Sequence, residues 1–197
     1  LSPDLDLRPG EPTRSTLPQW VQTCRGCGAA APDLAALAPE QRAIVDSAAY
    51  QALAASETAL PFLRWACLCQ DPVAQGEAWL QAAWTADDAG AAENARAWRR
   101  AAAEAWGEPA DPERALRLLD VLRRAELFPQ ATALAERLSE MDEGSARIVA
   151  FQLARVAERD TGRHLMSSAL RPPAHRPHVA HQAKPEKRGF WRLITGR

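Results

Sequence analysis

Two Asp-Pro steps, at 71–72 and 111–112, most constrain what this chain can build. The residue before a proline is pushed out of the helical region, so a helix arriving at such a step has to end. Proline fits a first helical turn, and an aspartate just ahead of it accepts hydrogen bonds from the first free amides. Each step therefore predicts a capped helix start, at Asp71 and at Asp111. The second is preceded by "GEPADP", a clean break.

Between these marks the apolar residues keep a helical rhythm. A first helix is expected over 40–55, with Ile44, Ala48 and Leu53 on one side and Val45 and Tyr50 flanking it. A second, 58–70, starts near Pro61 and carries "PFLRWACLCQ". The third follows Asp71, groups Val73, Gly76, Leu80, Ala83 and Trp84, and closes at Gly90. The fourth, 91–106, spaces Ala91, Ala95, Trp98, Ala102 and Trp106. The fifth follows Asp111, and its Ala115, Leu118, Leu119 and Leu122 give the clearest amphipathic signal in the chain. A sixth runs from Pro129 to Met141. A seventh is capped by Ser145, with Ile148, Phe151, Gln152 and Arg155 close on the wheel.

Seven helices on short connections predict an all-α fold of antiparallel neighbours. "LDVLRRAELFPQATALAERL" (119–138) resembles a tetratricopeptide (TPR) hairpin, and 77–106 shares its rhythm of alanines at close-approach positions. The expectation is a TPR-like array over 39–166, its concave face lined by helices such as 58–70, 91–106 and 145–160. Residues 1–38 form an irregular N-terminal segment, since prolines at 3, 9, 12 and 18 exclude a helix interior there. Within it "QWVQT" (19–23) reads as a short strand. Residues 167–197 read as a disordered basic tail, whose "RPPAHRPHVAHQAKPEKR" has little to bury.

Net charge is -1, so the chain as a whole makes no case for binding nucleic acid. The neutrality hides an asymmetry. From Arg171 onward seven Lys and Arg face one acid, Glu186, giving +6 and leaving -7 on residues 1–170. His175, His178 and His181 also lie in that tail, where they read as solvating residues before they read as metal ligands. The last stretch, 187–197, joins basic residues to Phe190, Trp191, Leu193 and Ile194. It is short for a helix at a membrane surface, and a tail without a defined partner is the preferred reading. No apolar run is long enough to span a bilayer, no signal peptide opens the chain, and the cysteine usage is that of a cytoplasmic protein.

Cys24 and Cys27 are the one local motif with chemistry in it. "TCRGCG" is a knuckle offering two thiolates to one metal, fed by the expected strand, with Gly28 letting backbone amides approach the sulfurs. A structural zinc takes four ligands. Cys67 and Cys69 are poor candidates for the rest. At i and i+2 of a helix they point about 200° apart, so both could ligate only if the helix frayed. The preferred reading is that they belong to the core.

The segment "SPDLDLRPGEPTRSTLPQWVQTCRGCGAAAPDL" (2–34) resembles the start of a bacterial family of zinc-ribbon proteins with TPR-like helical regions. "FLRWACLCQ" (62–70) and "AAWTADDAG" (82–90) are similar to later parts of it, so the resemblance covers about residues 2–106. It implies that Cys24 and Cys27 are the second knuckle of a ribbon whose first C-x-x-C-G lies upstream of "SPDLDLRP", before Leu1. It also implies a structural zinc. Arg25 stands where the family has proline, and Ala29 where it has an aromatic residue. The site is then restored by a longer chain, completed by another chain, or vestigial.

Other chemistries find little support. No nucleophile elbow, paired His-Glu motif or glycine-rich phosphate loop is present, and His164 is the only histidine outside the tail. Asp87 and Asp88, at a helix end, read as a solvated terminus. The expected function is therefore a non-enzymatic interaction protein that takes a protein or peptide partner, with a thiol redox protein or enzyme using Cys24 and Cys27 as the alternative.

Overall fold

The computed structural model describes residues 1–138 and 141–170. The chain enters with an isolated bridge at Asp4 and a 3-10 helix at Thr13–Gln19, then strands β1 (Gln22–Thr23) and β2 (Ala30–Ala31) and a 3-10 turn at Leu34–Ala36. The helices follow: α1 (Gln41–Val45), α2 (Ala48–Gln51), α3 (Leu60–Leu68), α4 (Pro72–Asp88), α5 (Ala92–Trp106), α6 (Pro112–Arg124), α7 (Phe128–Arg137), α8 (Glu143–Ala157) and α9 (Met166–Ala169). The fold is all-α apart from the two-residue strands.

Both Asp-Pro steps do what local chemistry asks. Asp71 Oδ2 accepts from Ala74 N at 3.0 Å and Asp111 Oδ1 from Arg114 N at 2.8 Å, each with proline in the first turn. From α3 to α8 each helix packs on the next, and α6 also touches α8. The main core joins Phe62, Leu80, Trp84, Trp106, Leu119 and Phe128. Small residues set the close approaches. A Cβ at Gly76 would stand 2.3 Å from Cδ1 of Trp106, so the indole occupies the space that any larger residue on α4 would need.

Four local expectations are corrected. Residues 40–55 are not one helix. Ser47 leaves helical geometry at ψ 144 and its hydroxyl accepts from Tyr50 N, so the chain restarts as α2, burying Val45 and Tyr50 and leaving Ile44 exposed. α8 is capped by Asp142, whose Oδ1 accepts from the amides of Gly144 and Ser145; Ser145 sits inside the first turn and donates its hydroxyl to Asp142. Pro18 lies within a 3-10 helix, which its fixed φ suits. The expected tail, 167–197, starts inside a helical turn, Met166–Ala169, and Ala169 is buried against Leu5 and Ile148. The remainder, with His175, His178, His181 and 187–197, lies outside the described residues.

The N-terminal segment is built into the helical body. Leu5 N donates to His164 O at 3.1 Å and Met166 N to Pro3 O at 2.8 Å, so the first residues pair with the chain leaving α8. Leu5 is buried with Ile148 and Ala169.

Candidate functional site

The knuckle is the turn of the β1–β2 hairpin, in register Gln22↔Ala31 and Thr23↔Ala30. Two hydrogen bonds close it: Cys24 N donates to Ala29 O at 2.8 Å, and Gly28 N to Cys24 O at 2.9 Å. Gly28 has φ +74, and a Cβ there would lie 2.8 Å from Nη1 of Arg64. Glycine is thus required twice, for conformation and for space.

Helices α1 to α3 brace this turn. Gln51, following Tyr50 on α2, donates its Nε2 to Cys27 O at 3.0 Å and to Val45 O at 2.7 Å. Tyr50 donates its hydroxyl to Gly28 O at 3.3 Å, and Arg64 lies over the Tyr50 ring, 5.6 Å from its centroid. β2 packs on α3, which leaves β1, with both residues exposed, as the open edge. The result is a two-thiol turn set rigidly against a small apolar cluster of Ala29, Val45, Tyr50 and Leu68.

The backbone amides of Cys27 and Gly26, with the Cys27 thiol beside them, hold the Cys24 thiol below its ordinary range, and Arg42 adds to this. A hollow of about 300 Å³ opens next to both sulfurs, lined by Ala29, Leu34, Leu37, Pro39, Arg42 and Val45. All four cysteines are free thiols.

Cys67 packs into the same small cluster from α3, and burial pushes its thiol up. Cys69 is the residue after the last turn of α3, in extended geometry, and burial followed by Asp71 and Cys67 pushes its thiol up to about 12. Neither offers a ready thiolate. Among the described residues no group of three His, Cys, Asp or Glu side chains gathers for a metal. The residues present therefore fit half of a tetrahedral zinc shell, through Cys24 and Cys27, and supply the other half from nowhere within residues 1–138 and 141–170.

A second constellation is a buried charge cluster between the N-terminal segment and α4, α5 and α6. Asp6 is fully buried. Its Oδ2 accepts from Trp84 Nε1 at 2.9 Å and Arg124 Nη1 at 3.2 Å, with Arg99 Nη2 at 3.5 Å; its Oδ1 accepts from Arg8 N at 3.2 Å. Asp87 receives the same two arginines, Arg99 at 2.6 Å and Arg124 at 2.7 Å. Burial pushes Asp6 up, but Arg124, Arg99 and the Trp84 indole outweigh it and hold the carboxyl below its ordinary range. Asp87 is held low in the same way. Asp88 pairs with Arg8 and Arg14. The pair at 87–88 is therefore more than a solvated terminus: Asp88 is exposed, as expected, but with the half-buried Asp87 it forms the α4 end of an ion network that clamps residues 4–14 onto the bundle.

Nearby, Arg123 joins α6 to the loop that follows α8. It donates to Asp120 Oδ1 at 2.6 Å and to the carbonyls of Asp160 and Gly162 at 2.5 and 3.0 Å. His164 pairs with Asp160 at 2.7 Å and meets the Phe151 ring edge-on. The carboxylates and the terminal guanidinium nitrogens of Arg99 and Arg124 bond to one another and those of Arg123 to Asp120 and backbone carbonyls, which is the chemistry of a structural clamp, while Nε of Arg8, Arg99, Arg123 and Arg124 stays buried without a partner. Sequence reasoning missed them because partners such as Asp6 and Arg124 are 118 positions apart. The one available signal was the density of charge in "DLDLRP", in the 87–88 pair and in the Arg pairs at 99–100 and 123–124, on segments otherwise destined for a core.

Comparison with protein-family models, with curated proteins and with solved structures returns no match for this chain.

Proposed function

We propose that the chain is a non-enzymatic interaction protein. A helical body of TPR-like hairpins offers its surface to a protein or peptide partner, and Cys24 and Cys27 form one half of a structural zinc knuckle. The observation that carries this reading is the knuckle itself: two thiols on a hairpin turn, braced by Tyr50 and Gln51, with no third donor gathered beside them among the described residues. The packing of each helix from α3 to α8 on its neighbour supports the hairpin array. Zinc here is architectural, a tetrahedral cross-link, and this chain's own part is to hold two sulfurs at one vertex pair. The free thiols suit a reducing, cytoplasmic setting. Among the described residues no helix is long and apolar enough to cross a membrane.

One observation favours a second reading. The amides aimed at Cys24, with Cys27 adjacent, are also how a thiol is activated for exchange. Zinc analysis separates the two. The 197-residue chain carrying an added N-terminal segment with a second C-x-x-C is expected to hold one zinc per chain, lost in Cys24→Ser. No zinc in that form, together with an acidic thiol and rapid reversible oxidation of Cys24 and Cys27, overturns the knuckle in favour of redox chemistry.

A further inference from the structure

We propose that Cys24 and Cys27 form a thiol–disulfide switch, closed by exchange with a low-molecular-weight disulfide that carries carboxylates. The exchange itself goes beyond the half-knuckle reading and needs no metal; its consequence for zinc rests on that reading.

The turn puts both sulfurs where exchange needs them. Gly28 N donates to Cys24 O at 2.9 Å, an i→i+4 closure, and residues three apart in such a turn lie on one side. The Cys24 sulfur folds back over the turn. It accepts from the amides of Gly26 and Cys27 and meets the Cys27 side chain, and a Cβ at Gly26 would stand 3.9 Å from it. Both cysteines are half-buried and line one hollow of about 300 Å³, so a molecule entering it meets both sulfurs. Cys67 shares the small apolar cluster but does not line that hollow. Tyr50 and Gln51 hold the carbonyls of Gly28 and Cys27, so closure starts from a fixed turn.

The charge around the pair selects the oxidant. Arg42 lines the hollow, its Nε shared with Asp46 at 2.8 Å, and Arg25 stands exposed between the two cysteines. Two arginines beside the sulfurs draw in a disulfide bearing carboxylates and repel a cationic one. The step balances within the two molecules. Cys24 attacks one sulfur of the small disulfide, whose S–S bond breaks, and the first small thiol leaves with the proton that Cys24 gave up. Cys27 then attacks the Cys24 sulfur and releases the second small thiol in the same way. Two protein thiols and one small disulfide become one protein disulfide and two small thiols; two electrons and two protons pass to the small molecule. The thiolate is the metal ligand, so closure withdraws both sulfurs from zinc and reduction returns them.

The test treats the reduced, chelator-washed 197-residue chain with oxidised glutathione, with neutral hydroxyethyl disulfide and with cationic cystamine, and maps the products by peptide mass. Oxidised glutathione is expected to react fastest and to leave a Cys24–Cys27 disulfide that excess reduced glutathione reopens. Cys27→Ser should stop at a stable mixed disulfide, one glutathione on Cys24. Cys24→Ser should capture glutathione on Cys27 about tenfold more slowly, since Cys24 is the sulfur the amides hold. Arg25→Gln with Arg42→Gln should reduce the preference for oxidised glutathione over cystamine about tenfold and leave the neutral disulfide's rate unchanged. Absence of the mixed disulfide in Cys27→Ser, closure onto Cys67, equal capture by Cys27 in Cys24→Ser, or equal rates for the three disulfides overturns the proposal. If the form with an added C-x-x-C binds one zinc while the parent chain's pair does not close, the half-knuckle stands and the switch falls. If the parent pair closes while the extended form takes no zinc, the switch stands and the half-knuckle falls.

Discussion

The indole N–H of Trp84 donates to Oδ2 of Asp6 at 2.9 Å, across 78 positions of sequence. This bond ties the irregular first segment to the C-terminal part of α4, and it lies where Arg99 and Arg124 also converge on the same carboxylate. Removing one partner of a buried ionic group leaves the others uncompensated. Asp6→Asn is therefore expected to cost about 3 kcal/mol in urea unfolding, with the slope unchanged. Trp84→Phe, which loses only the donor, should cost about 1–2 kcal/mol. The double variant should lose less than the two together, because both act on one oxygen.

Asp4 gives the opposite sign. It is almost fully buried, its Oδ2 has no partner, and Arg163 stands 3.8 Å from its Oδ1. Burial, and then the charge of Asp6, raise its carboxyl from 3.8 to about 6. Between those values the folded protein binds more protons than the unfolded chain, so this residue's contribution to stability falls as pH rises from 3.8 to 6. Asp4→Asn removes that penalty. It should be more stable than the parent by about 2 kcal/mol above pH 6, and the gap should close as pH drops below the ordinary carboxylate value. Denaturant midpoints at several pH values check this, and a constant gap would refute it. Asp6 and Asp87, held low, act the other way and lose their contribution only as pH falls below the ordinary carboxylate range.

These two aspartates mark the boundary of what the sequence makes legible. Asp71 and Asp111 could be read as caps because a cap is satisfied within three residues of itself. The face of α6 could be read because Leu118, Leu119 and Leu122 are set by one helix's own period. Asp6 and Arg124 meet only after the whole bundle has formed, and nothing local distinguishes a buried ion pair from a solvated one. Where two local signals compete, the sequence is ambiguous in a different way. Ser47 could continue a helix or cap the next, and its hydroxyl took the Tyr50 amide. Ser145 is the cap expected of α8, and Asp142, three residues earlier, takes its place because a carboxylate captures two amides where a hydroxyl captures one. The knuckle was legible as a motif, but its bracing by Tyr50 and Gln51 and the apolar hollow beside it were not, since they depend on how the broken helix at 41–51 folds back.

Gly76 tests whether space or propensity decides in α4. Alanine at a helix interior gains about 1 kcal/mol over glycine. At Gly76 its Cβ would fall 2.3 Å from Cδ1 and 2.4 Å from Nε1 of Trp106. That indole is buried and donates to Val73 O at 3.3 Å, so it has little freedom to withdraw. Overpacking of this kind costs about 1–3 kcal/mol. Gly76→Ala should therefore destabilise the protein despite its better propensity, and should alter the near-ultraviolet signal of Trp106. A stabilised variant would mean that α4 and α5 separate freely.

The same reasoning separates the knuckle from the body. Gly28 holds φ +74, a region that costs an L-residue about 1 kcal/mol, and its missing side chain leaves room for the Arg64 guanidinium over Tyr50. Gly28→Ala strains the turn and pushes Arg64 from that ring. The damage is local, because the main helical core does not include Tyr50 or the thiols. Metal affinity, measured in the form carrying a second C-x-x-C, should fall by about tenfold, while the urea midpoint of the helical body moves by no more than the strain of one residue. Equal losses in both would show that the hairpin and the bundle unfold as one unit, and that the two thiols are held by the whole fold and not by the turn and its three braces.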